Sequence, residues 1–373
     1  MRRLYFDYNA TAPMLAEAKA AVAAGMEVAG NPSAQHGDGR AASSLVSGAR
    51  EAIGLAMGVC AQDIVFTSGG TEGNNMAVFS AWQAGCRKML FSSADHPASY
   101  RAAEQWGCPH EFIPVDANGV TDLAWLKTRL ENWDEADGRV FVSVAAANSE
   151  TGVLQPIEAI ADLVADAGGL LLVDAVQALG KIPMSFQADY LVTSAHKIGG
   201  PKGVGAIYIA PDAPVSSLLC GGGQERRRRA GTINAPAIAG FGVAAKLAGE
   251  LSHAAPLRDK LEQGLKAMEP DLVIFGQGAQ RLPNTSFFAV PDASSMTLMM
   301  GLDLAGISVS TGTACSSGKV GQSRFIEAMG RANDAPKGAL RVSLGPAATQ
   351  DDIDAFLKAW AKLRRKTVKE VAA

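Results

Sequence analysis

The chain has 373 residues, 48% of them hydrophobic and 19% charged, the latter below the usual level of about 25%; this excludes a disordered chain and supplies apolar material for two to three domains. With 34 Lys plus Arg against 37 Asp plus Glu the net charge is −3, so the basic field that nucleic acid requires is absent. Five scattered cysteines without a CxxC pair exclude a disulfide framework and the common zinc spacing, and apolar runs no longer than a strand fall short of the roughly 20 residues of a membrane span.

That cysteine usage makes a reducing cytoplasm the expected compartment, and the start, Met1-Arg-Arg-Leu-Tyr-Phe-Asp7, with two arginines and no apolar stretch behind them, does not read as a secretory signal. The first dozen residues have no sheet of their own. From about 64 to 210, apolar runs alternate with helical patterns. The predicted strands are 64–67, 89–92, 139–144, 170–174, 190–193 and 205–209, with helices near 71–83, 97–106, 121–131 and 156–167. Strands without polar/apolar alternation, spaced by helices, predict a doubly wound α/β domain with a mostly parallel sheet covered on both faces. An alanine-rich helical stretch near 235–252 leads out of it. Beyond lie strand-like 285–290, helix 294–304, strand-like 306–310, helix 321–329, strand 339–344 and helix 349–369, which read as a smaller α+β domain. The expected division is 13–250 for the large domain, with 1–12 and 251–373 forming the small one.

Ligands of open α/β sheets sit beyond the carboxyl ends of the strands, so what ends each run matters. The first ends in Ser68-Gly69-Gly70-Thr71-Glu72, opening a helix. It is either an ordinary glycine turn or a phosphate cradle of backbone N–H groups. The fourth ends in Asp174, a carboxylate behind an apolar run that needs a partner, either a structural one or a ligand cation. The fifth ends in Ser194-Ala195-His196-Lys197, where a lysine among small residues is a candidate Schiff-base amine. A cradle, an acid and a lysine on separate strand ends of one sheet match what pyridoxal 5′-phosphate (PLP) requires.

The residues resemble a known family. Thr67-Ser-Gly-Gly-Thr-Glu72, Asp95-His96, Asn148-Ser-Glu-Thr-Gly152, Val173-Asp-Ala-Val-Gln177, Ser194-Ala-His-Lys197, Gly221-Gly-Gly-Gln-Glu225, Ala230-Gly-Thr232, Ser310-Thr-Gly-Thr-Ala-Cys315 and Leu340-Arg-Val-Ser-Leu344 are similar to the motifs of cysteine desulfurases, PLP enzymes of the class V aminotransferase group. The likeness runs in the family's order from about residue 5 to 346. It implies PLP-dependent transferase fold type I and the removal of sulfur from L-cysteine, leaving alanine and a persulfide on Cys315. That sulfur would go to an acceptor scaffold or carrier for iron–sulfur cluster assembly or other sulfur transfer. The Ser-x-Gly-x-Ala-Cys context resembles the nitrogen-fixation and general cluster-assembly type. Selenocysteine lyase, another class V aminotransferase-like enzyme and a non-catalytic protein of this fold are the alternatives.

By the same resemblance Lys197 would bond the cofactor, Asp174 would pair with its pyridinium nitrogen, and Gln177 would hydrogen-bond its ring oxygen. Gly70, Thr71, Ser194 and His196 would hold its phosphate. His96 would stack on the ring and assist proton transfers. Arg341 and Asn148 would take the substrate carboxylate, with Asn148 also near the cofactor. Thr232 would reach the cofactor of a neighbouring subunit, which implies a homodimer with shared sites. Cys315 stands among Ser, Thr and Gly with few apolar anchors, a setting that predicts a mobile loop for a nucleophile that must travel. Three departures from the pattern are Ala195 for the usual Gly, Ser149 for the commoner second Asn, and the small pair Ala145-Ala146. Cys220, just before the triple glycine, is a candidate second oxidisable thiol. The Arg226–Arg229 run reads as a solvated or partner-facing loop or an anion contact.

Overall fold

The computed structural model describes residues 3–312 and 323–371. Strand β1 (Leu4–Tyr5) is followed by two helices, α1 (Ala16–Met26) and α2 (Gly37–Met57), before the large sheet begins. That sheet contains β2 (Ile64–Thr67), β3 (Met89–Ser92), β4 (His110–Ile113), β5 (Phe141–Ala145), β6 (Leu170–Asp174), β7 (Tyr190–Ser194) and β8 (Gly205–Ile209), in the order β2-β8-β7-β6-β5-β3-β4. Neighbours are parallel except at β8, which runs antiparallel to both β2 and β7. The interleaved helices are α3 (Gly70–Gln83), α4 (Pro97–Gln105), α5 (Leu123–Glu131) and α6 (Ile157–Asp166).

The apolar runs are continuous because both faces of this sheet are covered. Along β6, Leu171 and Val173 join one core cluster while Leu170 and Leu172 join the other, the two-residue period of a strand buried on both sides. Helix α7 (Ala235–Leu247) packs against α1 and α2 through small residues. A Cβ on Gly242 would lie 2.6 Å from the Ala49 Cα, so only glycine permits this approach.

A second, four-stranded antiparallel sheet has the order β12-β13-β10-β9, from β9 (Val273–Ile274), β10 (Thr285–Ala289), β12 (Ser310–Thr311) and β13 (Leu340–Ser343). Around it lie α8 (Ala255–Met268), α9 (Ser295–Leu304), α10 (Arg324–Ala328) and α11 (Gln350–Val371). Strand β11 (Ile307–Ser308) pairs in parallel with β1, which ties the start of the chain to this second body. The chain then crosses to the large sheet: Ala12 N–H donates to His196 O at 2.8 Å and Leu15 N–H to Gly199 O at 2.9 Å.

The predicted strands and helices of 64–210 are present to within two residues. Strand β4 was not anticipated. Its sequence His-Glu-Phe-Ile is half polar, as an edge strand can be, and only Ile113 is fully buried. Helices α1, α2 and α8 also lay outside the sequence reading. Among the described residues no helix is long and apolar enough to cross a membrane.

Candidate active site

All strands of the large sheet except β8 point the same way, so their carboxyl ends share one edge. A cavity of about 380 Å³ lies there, within the roughly 300–1,000 Å³ typical of small-ligand sites. Four of the strand ends deliver predicted groups to its wall. Gly70 and Thr71 follow β2, His96 follows β3, Asp174 and Gln177 come from the end of β6, and Ser194, His196 and Lys197 from the end of β7. Arg341 reaches the same wall from β13 of the second sheet, and Asn9 and Ala10 from the crossing segment.

Asp174 is buried, and its carboxylate is held rather than free: Asn74 Nδ2 donates to Oδ2 at 2.8 Å and the Val176 N–H to Oδ1 at 3.0 Å. Asn74 is on α3, one turn after Gly70, whose carbonyl also accepts from its Nδ2. A side chain at Gly70 would meet Val176 Cγ2 at 2.7 Å, so glycine is what lets the helix start close over the cavity. Lys197 ends a 3₁₀ turn directly after β7, and its Nζ donates to Asn9 O at 2.6 Å and Ala10 O at 2.9 Å.

His96 caps α4. Its Nδ1 accepts the Ala98 N–H at 3.1 Å, which leaves Nε2 to carry the proton of the neutral ring. Burial, with the positive charge of Lys197 adding to it and Asp174 opposing, holds its pKa below the ordinary histidine value. Behind it, Asp95 accepts from Ser143 Oγ at 2.6 Å and the Ala145 N–H at 2.7 Å, and burial pushes its carboxyl up to about 8. These bonds lock the β3 and β5 ends together beneath His96.

His196 is lowered to about 4, by burial first and then by Lys197 and Lys202. A histidine depressed in the folded state takes up its proton more readily in the unfolded chain. The His196 contribution to stability is therefore withdrawn as pH falls from about 6.5 toward about 4, and it does not change above that window. In thermal unfolding of the protein without added cofactor, His196→Gln should lose stability less steeply than the parent across this window; identical slopes would refute the assignment.

Arg341 is buried, and its Nη2 donates to Asp7 Oδ1 at 2.8 Å and its Nη1 to Ser149 O at 3.0 Å. Its Nε is buried without a hydrogen-bond partner among the described residues. The predicted carboxylate binder is thus already paired with an acid that the sequence reading did not single out.

Residues 4–356 match the family model Aminotransferase class-V. A protein named cysteine desulfurase, from Cereibacter sphaeroides, is 41% identical over 371 residues, which cover 96% of this chain and 95% of that protein. The chain belongs to the cysteine desulfurase family. Cysteine desulfurase IscS of Dictyoglomus turgidum is 34% identical, over 98% of this chain and 95% of that protein. Among solved structures, a NifS-like protein superposes with a TM-score of 0.89 at 33% identity, over 97% of this chain and 99% of that one. SspA in complex with cysteine gives 0.80 at 25% identity, over 93% and 100%.

The class-V aminotransferases and the desulfurases are families of PLP enzymes, and the expected fold, a large mostly parallel α/β sheet domain of PLP fold type I, is the one observed. Not every expected residue of this desulfurase-family chain stands on the cavity wall. Asn148 lies behind it: its Oδ1 accepts from the Glu150 N–H, the Thr151 N–H and Thr151 Oγ1, and its Nδ2 donates to Ala94 O. Thr232 is exposed on a loop away from the cavity of its own chain. Cys315, and the loop predicted for it, lie outside the described residues. The strand leading toward it, β12, sets Ser310 opposite Arg341. Cys220 is exposed. The arginine run divides: Arg229 pairs with Glu72 at 2.8 Å, Arg226 bonds Gln62 O, and Arg227 faces solvent. Asn9, Asn74, Lys181 and Asp7 are site residues that the sequence reading missed. Asn74 had a usable signal, since a buried Asp174 demands a donor and Asn74 is one helical turn into the helix that opens at Gly70, and Asp7 and Asn9 lie in the opening segment Tyr5–Pro13, which also fits the family's pattern.

Proposed function

We propose that this protein is a PLP-dependent cysteine desulfurase that takes sulfur from L-cysteine, releases L-alanine and holds the sulfur as a persulfide on Cys315. The convergence of Lys197, Asp174, His96 and the Gly70-Thr71 helix start on one cavity is the observation that carries this reading. The residues present suit the cofactor: a primary amine, a buried carboxylate, and a helix start whose close approach a Cβ at position 70 would block. Lys197 would bond PLP, Asp174 would face its ring nitrogen, Gln177 its ring oxygen, and Gly70, Thr71, Ser194 and His196 its phosphate, with Asn148 supporting the wall from behind. Bound there, PLP supplies an electron sink conjugated to the substrate α-carbon.

The protein's own groups do the rest. Arg341 exchanges Asp7 for the substrate carboxylate, with its unpartnered Nε supplying a second prong. Lys197 Nζ moves the α-proton. His96, neutral with its proton on Nε2, acts as a donor. The Cys315 thiolate attacks the sulfur of cysteine, so an S–S bond forms while the C–S electron pair stays on carbon, which takes a proton to become the alanine methyl.

We further infer a homodimer in which Thr232 serves the neighbouring subunit's cofactor; its exposure outside its own cavity suits that role. A sulfur-acceptor scaffold or carrier protein, such as one that assembles an iron–sulfur cluster, would complete the cycle. The division into residues 13–250 against 1–12 with 251–373 is proposed on the confinement of the seven-stranded sheet to the first and the four-stranded sheet to the second. The direct test is mass spectrometry after cysteine treatment of the PLP-loaded protein. One added sulfur atom should appear on the peptide holding Cys315, removable by a reductant; sulfur release with no modification there refutes the persulfide.

A further inference from the structure

Lys181 is the most deeply buried lysine at the site, 3% exposed, and among the described residues it has no carboxylate partner. Its Nζ donates to Gln177 Oε1 at 2.6 Å and to Asn9 Oδ1 at 2.8 Å. Both acceptors are amide oxygens. Burial first, then the charges of Lys197 and Arg341, pushes Lys181 well below the usual ammonium range. An uncharged amine has two N–H groups, which matches the two oxygens on offer.

The consequence falls on Gln177. Its Oε1 is held by Lys181, and its Nε2 donates to Asn9 O at 2.9 Å, the same carbonyl that accepts from Lys197. The reversed amide would set Oε1 against the Asn9 carbonyl oxygen and would cost Lys181 Nζ its acceptor, so the two contacts together exclude it. One Nε2 N–H is thereby left over for the cavity that Gln177 lines. We propose that Lys181 is a positioning residue: it fixes the Gln177 carboxamide so that Gln177 presents a hydrogen-bond donor, never an acceptor, to the ring oxygen of the cofactor. The inference rests on the PLP reading above and extends it to a residue that touches neither cofactor nor substrate.

The test uses PLP itself, read by its dissociation constant and by the pH midpoint of the visible band of the bound cofactor. Lys181→Met should weaken PLP binding about ten-fold and move the midpoint upward, because a randomised amide no longer stabilises the ionised ring oxygen. In a Gln177→Leu background the same substitution should change neither quantity. An unchanged constant and midpoint in Lys181→Met overturn the role, as does an equal loss in both backgrounds, which would mean that Lys181 acts by general packing or by its field. Should Lys181→Met lose its fold by circular dichroism, Lys181→Leu, which likewise has no donor, enters the same comparison with the same deciding outcomes. Absence of any visible band in the parent protein with PLP would instead refute the cofactor reading, and the proposal with it.

Discussion

Lys197→Ala is expected to abolish covalent attachment of PLP and to lower sulfur release from cysteine by at least about a thousand-fold, the combined loss of a nucleophile and a proton carrier. Lys197 is the one lysine on the cavity wall among the described residues, so no second amine stands ready to replace it. The fold itself should tolerate the change. Asn9 O keeps its bond from Gln177 Nε2 when Lys197 is gone, and Ala10 O lies beside a cavity that admits water. The loss of two such bonds costs about 1 kcal/mol each. The variant should therefore unfold at nearly the parent temperature and still bind PLP reversibly through its other contacts. Turnover of cysteine within ten-fold of the parent would remove Lys197 from the chemistry.

Asp174→Asn should cost about 3–5 kcal/mol in transition-state stabilisation, equivalent to a hundred- to several-thousand-fold in the rate constant, if the carboxylate stands against a cationic ring nitrogen. The isosteric change removes the charge, and it also disturbs the carboxylate's present partners. Asp174 accepts from Asn74 Nδ2 and from the Val176 N–H. An asparagine has one oxygen for these two donors, so one buried N–H loses its acceptor at a cost of about 1–3 kcal/mol in stability. The two effects separate experimentally. Thermal unfolding of the cofactor-free protein reads the second, and the turnover rate at saturating cysteine and PLP reads the first. A stability loss with unchanged turnover would make Asp174 a purely structural acid.

How much of this was legible beforehand depended on the kind of signal. Runs such as Leu170 to Asp174 announce themselves because both faces of the sheet are packed, leaving no polar alternation to confuse the pattern. The edge strand His110–Ile113 does not, since its polar half faces partly outward. Helix α2 opens Gly-Asp-Gly-Arg, a poor helix start by propensity, and forms because Ala42, Val46, Ala49 and Ile53 bury one stripe beneath α7. Lys197, Asp174 and the Gly70 turn were found because each ends a strand, and strand ends of a parallel sheet must meet along one edge.

From the order of residues alone come the sheet, the edge at which it binds, and the titratable groups available there, because local periodicity and strand polarity decide all three. Tertiary contact alone settles what those groups are bonded to. Arg341 meets Asp7 across 334 positions of chain, Lys181 meets Asn9 across 172, and Asn74 meets Asp174 across 100. Hydrogen bonds act over about 3 Å, and nothing in a residue's own neighbourhood says which distant segment will be brought within that range. That is why Asn148 and Arg341, equally plausible as ligands on paper, end in different places: one behind the wall with its amide engaged, the other on the wall with a nitrogen unmatched among the described residues.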